Sequence, residues 1–192
     1  AVSQTAAEIV RRNGYADRIS VVPKASQQVR LGEDLAEPAD VLLSEIISSD
    51  LVTEDVVAAI EDARARLLKP GARSIPRAVA AAARVVGGEE LAQGVSVGAV
   101  DGFDLSPFNR FTPGAVAVKL SDHGFDTLSD DVEVFHFDLV TGAGSPPRQT
   151  LSFPIRRAGD AVGLLQWVRL YLDEETMFEN RPADRFASSA WR

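Results

Sequence analysis

Apolar residues recur along the first third of the chain with two different periods. Between Gln4 and Asn13, Ile9, Val10 and several alanines stand among polar residues at a spacing that predicts a helix. Gly14 follows at the position favoured for ending one. Ile19, Val21 and Val22 predict a short strand closed by Pro23, and the polar, acidic stretch 30–38 predicts a loop. Val41, Leu42 and Leu43 then form a compact apolar run after Asp40, the pattern of a strand buried on both faces in a parallel sheet. From Glu54 to Leu68, the residues Val56, Val57, Ile60, Ala63 and Leu67 return at helical spacing. Lys69-Pro70-Gly71 is expected to stop that helix. Strand and helix alternating in this way predict an α/β layer.

The texture changes near Ile75-Pro76. Strand-like runs follow at Ala78–Val86, Val95–Val100, Ala115–Leu120, Val132–Leu139, Thr150–Ile155 and Val162–Leu172. They are separated by turn residues at Gly87-Gly88, Pro113-Gly114 and Gly142–Pro147. Short strands at this spacing predict an antiparallel barrel or sandwich, so a boundary is expected at about residue 76.

Composition narrows the classes of function. A chain of 192 residues is long enough for one large domain or two small ones. With 20 Lys+Arg against 28 Asp+Glu the formal net charge is −8, which argues against nucleic-acid binding through a basic footprint and suits a cationic protein or peptide partner. The absence of cysteine excludes disulfides, thiolate catalysis and Cys-ligated zinc. The apolar stretches are far shorter than a membrane span, and residues 1–12 carry no basic leader followed by an apolar block. A cytoplasmic location is the expectation. The chain starts without Met, as an excerpt or a processed form would.

Two carboxylates draw attention. Ser44-Glu45 follows the apolar run 41–43, and ligands of open α/β sheets bind at such strand ends. Glu54 comes nine positions later at the start of the next helix, so the intervening loop can bring both carboxylates to one point, with Asp50 between them. A structural reading also stands for Glu54, because an acidic residue in a first helical turn complements the helix dipole. Glu45 is the stronger candidate, since a carboxylate beside a buried strand is costly without a partner. His136, between Phe135 and Phe137, and His123, in a turn-like stretch, read as structural, and two histidines without nearby carboxylate spacing do not suggest zinc.

The segment from Ser44 to Glu54, Ser-Glu-Ile-Ile-Ser-Ser-Asp-Leu-Val-Thr-Glu, resembles the double-glutamate loop of the protein arginine methyltransferases, including the nine-residue separation. Further pieces resemble that family in the same order: Asn13-Gly14-Tyr15-Ala16-Asp17-Arg18-Ile19, Leu67–Ala72 followed by Ile75-Pro76, Gly102-Phe103-Asp104-Leu105-Ser106 with Phe108-Asn109, Trp167, and Ser189-Ala190-Trp191. The resemblance implies an α/β fold: a partial Rossmann-like, S-adenosylmethionine-dependent methyltransferase layer over residues 1–76, then an antiparallel β-barrel-like substrate domain over 77–192. It implies that Glu45 and Glu54 clamp the guanidinium of an arginine-containing protein or peptide. It also implies that Lys24, Ala25, Ser26 and Ser44 contact S-adenosyl-L-methionine. No membrane or nucleic-acid partner is implied. The aromatic stretch Asp101–Phe111 stands where the family inserts a dimerisation arm, so a homodimer is a further expectation.

Departures sharpen the expectation. The family's glycine-rich cofactor motif and the acidic residue that holds the ribose are not in this chain, so upstream residues are expected and the chain alone is expected to be inactive. The chain also stops before the last barrel strands. Ala190 stands where most members carry a histidine, which puts general-base help and product specificity in question. The rival readings are a non-catalytic module of the same family and a nucleotide-using α/β enzyme. The latter is disfavoured because no dinucleotide fingerprint is present.

Overall fold

The computed structural model describes residues 2–48, 51, 55–114, 124–146 and 148–181. Helix α1 (Val2–Arg12) opens the chain and ends on Arg11 and Arg12, which suit the negative end of its dipole. Gly14 follows at φ +75°, the left-handed turn predicted for that position. The strand expected over 19–22 is not formed. It has no ladder partner among the described residues, and a strand exists only as half of a pair.

Strand β1 (Ala39–Leu43), helix α2 (Val56–Arg66) and strand β2 (Leu68–Ile75) form a β-α-β unit with β1 and β2 parallel. The register pairs Val41 with Arg73 and Leu43 with Ile75. Helix α2 ends at Arg66, before Lys69-Pro70-Gly71 as expected, but those residues lie inside β2 rather than in a turn, because the ladder shifts between Ala39 and Val41 and leaves 69–72 opposite a single residue. A proline without an N–H and a glycine at φ +78° are tolerated in such an interruption. Contrary to expectation, β1 is not buried on both faces: Val41 is 40% and Leu43 76% exposed, since β1 has β2 on one flank only among the described residues.

The chain then enters an antiparallel sheet of five strands through the cis Ile75–Pro76 bond. Strand β3 (Ala78–Gly87) is its centre. On one edge it pairs with β7 (Val132–Asp138) and, further along, with the short β6 (Asp126–Thr127). On its other edge lies β8 (Ala161–Tyr171), which carries β9 (Met177–Glu179) outside it. The strands expected at 78–86, 132–139 and 162–172 are therefore present. The one expected at 95–100 is replaced by helix α3 (Glu89–Val95) and a hairpin of β4 (Ala99–Val100) and β5 (Phe103–Asp104). Thr150–Ile155 forms no strand and touches the sheet through one bridge, Ile155 to Ser129. The run 115–120 lies outside the described residues.

Period-two alternation gives the sheet two different faces. On one, Val79, Ala81, Phe137, Leu139 and Val168 form a buried cluster with Val56 and Ile60 of α2, so the helix of the parallel unit packs on the antiparallel sheet. On the other, Ala78, Ala80 and Ala82 stand opposite Tyr171, Arg169 and Trp167. Small side chains on the central strand leave room there for large polar ones on its neighbour. A second cluster joins Val86, Leu91 and Phe125. Among the described residues no helix is long and apolar enough to cross a membrane.

Candidate active site

The loop leaving β1 is held at both ends. The N–H of Ser44 donates to the carbonyl of Ile75 at 2.9 Å, extending the parallel ladder past Leu43. Ile47 and Leu51 are 8% and 4% exposed and belong to the cluster shared by α2, β3, β7 and β8. Between these anchors Glu45 is exposed, and no described residue pairs with it. The expectation that burial would force a partner on Glu45 is thus corrected, because the chain has already turned outward at that point. Leu51 adopts φ +65° and donates its N–H to the Ser48 carbonyl at 3.1 Å, closing a tight turn. Asp55 caps α2 with φ +49°, and its carbonyl accepts from Ala59 at 2.9 Å. Glu54 lies outside the described residues, as do His123, Ala190 and Trp191.

The other expected site residues sit elsewhere on the parallel unit. Lys24, Ala25 and Ser26 are exposed, and Ser26 opens a single turn of 3-10 helix over Ser26–Gln28. Arg66, the last residue of α2, fixes this turn by donating to the carbonyls of Val29 at 2.9 Å and Ser26 at 3.2 Å. Lys24 Nζ lies 2.7 Å from Asp34, whose carboxyl is held below its usual range by that contact and by the Arg30 amide. An open polar depression lined by Lys24, Gln28, Arg30, Glu33 and Arg66 results. No hydrogen bond or ion pair joins these residues to Ser44 or Glu45. The turn is tied to the C-terminal end of α2, whereas the Glu45 loop leads into its N-terminal end, about 15 Å away by helical rise.

The polar face of the antiparallel sheet carries a charge network that sequence reasoning missed. Arg84 is 2% exposed and lies 2.7 Å from Asp131. Asp131 also receives Arg181 at 3.0 Å and Arg169 at 3.8 Å. Arg84 and Arg169 both stack on Trp167, at 5.2 Å and 5.9 Å from the ring. Glu179 accepts from Arg169 at 2.8 Å and from the Trp167 indole at 3.0 Å. Burial pushes the Glu179 carboxyl up, but these two hydrogen bonds outweigh it and hold the group below its usual range. Glu133 accepts the Tyr171 hydroxyl at 2.7 Å and lies 2.8 Å from His136 Nδ1. Burial, then that bond to Glu133, raises the Tyr171 phenol. Glu133 thus holds the His136 ring in place, Trp167 is 1% exposed and Phe178 is 37% exposed. Arg156 and Arg157 pair with Asp130 and Asp126.

No family model matches the chain. Individual relatives do. An arginine N(omega)-methyltransferase of Streptomyces achromogenes subsp. streptozoticus is 29% identical over 182 residues, which is 94% of this chain and 50% of that protein. Protein arginine N-methyltransferase 7 of Oryza sativa subsp. indica is 27% identical over 93% of this chain and 26% of its own length. The Danio rerio protein of the same name is 27% identical over 91% of this chain and 27% of its own. Among solved structures, the Trypanosoma brucei PRMT1 enzyme-prozyme heterotetrameric complex with AdoHcy superposes with a TM-score of 0.69 at 19% identity, over 94% of this chain and 58% of that one. That likeness establishes a methyltransferase-like fold. The chain spans half or less of the length of the curated relatives named here. Along nearly its whole length, therefore, the chain is similar to the protein arginine methyltransferases.

Proposed function

We propose that this chain carries the substrate-holding part of an S-adenosylmethionine-dependent protein arginine N-methyltransferase, with Glu45 and Glu54 as the guanidinium clamp. The observation that carries this reading is the similarity to arginine methyltransferases across 94% of the chain, together with the exposed Glu45 on a loop anchored at both ends. In this reading residues 1–76 are the C-terminal part of the cofactor domain and 77–192 the barrel-like substrate domain. A cytoplasmic location goes with it.

The chemistry follows from the two carboxylates. Each accepts N–H bonds from one guanidinium, which fixes its plane, and their negative charge draws the cation's positive charge toward them. One terminal nitrogen keeps its lone pair available for attack. Orientation supplies much of the rate when the methyl donor is already activated. S-adenosyl-L-methionine supplies that activated methyl group on its sulfonium. Ala25 and Ser26 form an exposed turn held from behind by Arg66, and Lys24 is fixed beside them by Asp34, an arrangement that fits a flat ring bound at the edge of a turn. Ser44, half-buried at the end of β1 and toward the opposite end of α2, is the fourth residue of the proposed set. An arginine-containing protein or peptide is the partner, and a homodimer through the exposed Phe103, Phe108 and Phe111 is part of the same reading.

A second reading is a non-catalytic binding or dimerisation module of the same family. Among the described residues β1 pairs only with β2 and Leu43 is 76% exposed, a surface that would suit a binding partner. The test is transfer from labelled S-adenosylmethionine to arginine-rich peptides by the intact polypeptide, beside a Glu45→Gln variant and a peptide with lysine for arginine. Label that depends on both Glu45 and arginine supports the enzyme. Cofactor binding with no transfer above the variant supports the module.

A further inference from the structure

We infer that Ile47 and Leu51 are positioning residues that register the Glu45 carboxylate on the antiparallel sheet. This inference rests on the methyltransferase reading of Glu45 and goes beyond it. A loop that leaves a parallel strand would ordinarily take its position from that strand and from the helix it leads into. Here the loop takes it from the other sheet as well. Ile47, two residues after Glu45, and Leu51 are buried to 8% and 4% in the cluster formed by Val79 and Ala81 of β3, Phe137 and Leu139 on the β7 edge, Val168 of β8, and Val56 and Ile60 of α2.

Upstream of Glu45, the Ser44 amide is bonded to the Ile75 carbonyl, and Ile75 lies three residues before β3 begins at Ala78. Glu45 therefore stands between two fixings that both lead to the same sheet. Leu51 holds φ +65°, a conformation that a leucine keeps only where its surroundings over-determine it. Its N–H to the Ser48 carbonyl closes the turn that points Ile47 and Leu51 into the core. The exposed carboxylate is thereby set relative to the sheet by side chains that never touch a substrate.

The experiment compares Ile47→Ala and Leu51→Ala with Val86→Ala, all in the intact polypeptide. Val86 is equally buried, at 4%, but belongs to the separate cluster with Leu91 and Phe125. After correction for folded fraction, kcat for an arginine peptide is expected to fall on the order of 10- to 100-fold in the first two variants. The KM for the cofactor should move by no more than about twofold, and Val86→Ala should stay within about twofold of the parent. Ile47→Val should restore most of the loss. Hydrogen exchange supplies an arm independent of activity: Ile47→Ala is expected to speed exchange at the amides of Glu45 to Ser48 and to leave 41–43 unchanged. Equal kcat losses in all three variants, or unchanged exchange at Glu45, would overturn the inference. If the parent transfers no methyl group, the proposed function fails, and the exchange comparison alone decides the positioning role.

Discussion

The amide of Ser44 donates to the carbonyl of Ile75 at 2.9 Å, so the strand end that presents Glu45 is bonded to the residue from which the chain turns into the antiparallel sheet. Glu45 itself is exposed, which separates its chemistry from the stability of the fold. Replacing it by glutamine should therefore leave unfolding within about 0.5 kcal/mol of the parent, the range of ordinary surface changes. Thermal and urea melts check this, and a loss several times larger would mean that the carboxylate has a structural partner.

The packing of α2 on the antiparallel sheet should carry a large share of stability. Ile60 is 2% exposed in the shared cluster, and Ile60→Ala removes buried methyl groups from a site with neighbours on three strands. A loss of about 2–4 kcal/mol in urea unfolding is expected. Ile155→Ala, at a 58% exposed position, should cost about 0.5 kcal/mol or less.

Asp131 serves three arginines, one of them almost fully buried. Asp131→Ala removes the carboxylate that lies 2.7 Å from the buried Arg84 guanidinium, and a loss of about 3 kcal/mol is expected. Replacing both partners, as in Arg84→Met with Asp131→Leu, should cost less than the single change, because the buried guanidinium goes with its carboxylate, while Arg169 keeps Glu179 and Arg181 is half-exposed. A double-mutant cycle by denaturant unfolding measures this. A double variant as unstable as the sum of the singles would contradict it.

Two carboxyls with lowered pKa make acid stability predictable. Burial pushes both Glu179 and Asp138 up, but hydrogen bonds from Arg169 and Trp167 to the first, and from the amides of Thr141 and Val140 to the second, leave each below its usual range. Their stabilisation is fully present above the unfolded carboxyl pKa values and is lost as pH falls through the lower folded ones. Melting temperature should thus fall as pH drops below about 4.5, and Glu179→Gln should flatten that limb. An acid limb unchanged in the variant would show that other groups control it.

The elements legible in the sequence were those whose pattern is set by their own residues. Ile60 and Ala63 mark the buried face of α2 by spacing alone, and the alternation in Val132–Leu139 and Val162–Leu172 marks two strands. What misled was tertiary context. Pro70 and Gly71 read as a helix stop, and α2 does end before them, but a shift in the β1–β2 register also places them inside a strand. Val95 reads as strand-forming, yet it ends a helix whose Leu91 fills a cluster with Phe125. In the site, Glu45 was found from its place after an apolar run, although the structure shows it exposed rather than buried. Ile47 and Leu51, which anchor the loop, were not singled out, because their cluster partners lie on strands remote in sequence. The Asp131 and Glu133 network was illegible for the same reason, since its members come from four strands, β3, β7, β8 and β9.

The account turns on two glutamates acting together on one guanidinium, and a double-mutant cycle on kcat/KM for an arginine peptide tests it most directly. Glu45→Gln and Glu54→Gln should each lose about two orders of magnitude in the intact polypeptide. The double variant should lose far less than the product of the two, because residues that act as a unit are not additive. A Glu54→Gln variant that methylates as well as the parent would contradict the two-carboxylate clamp.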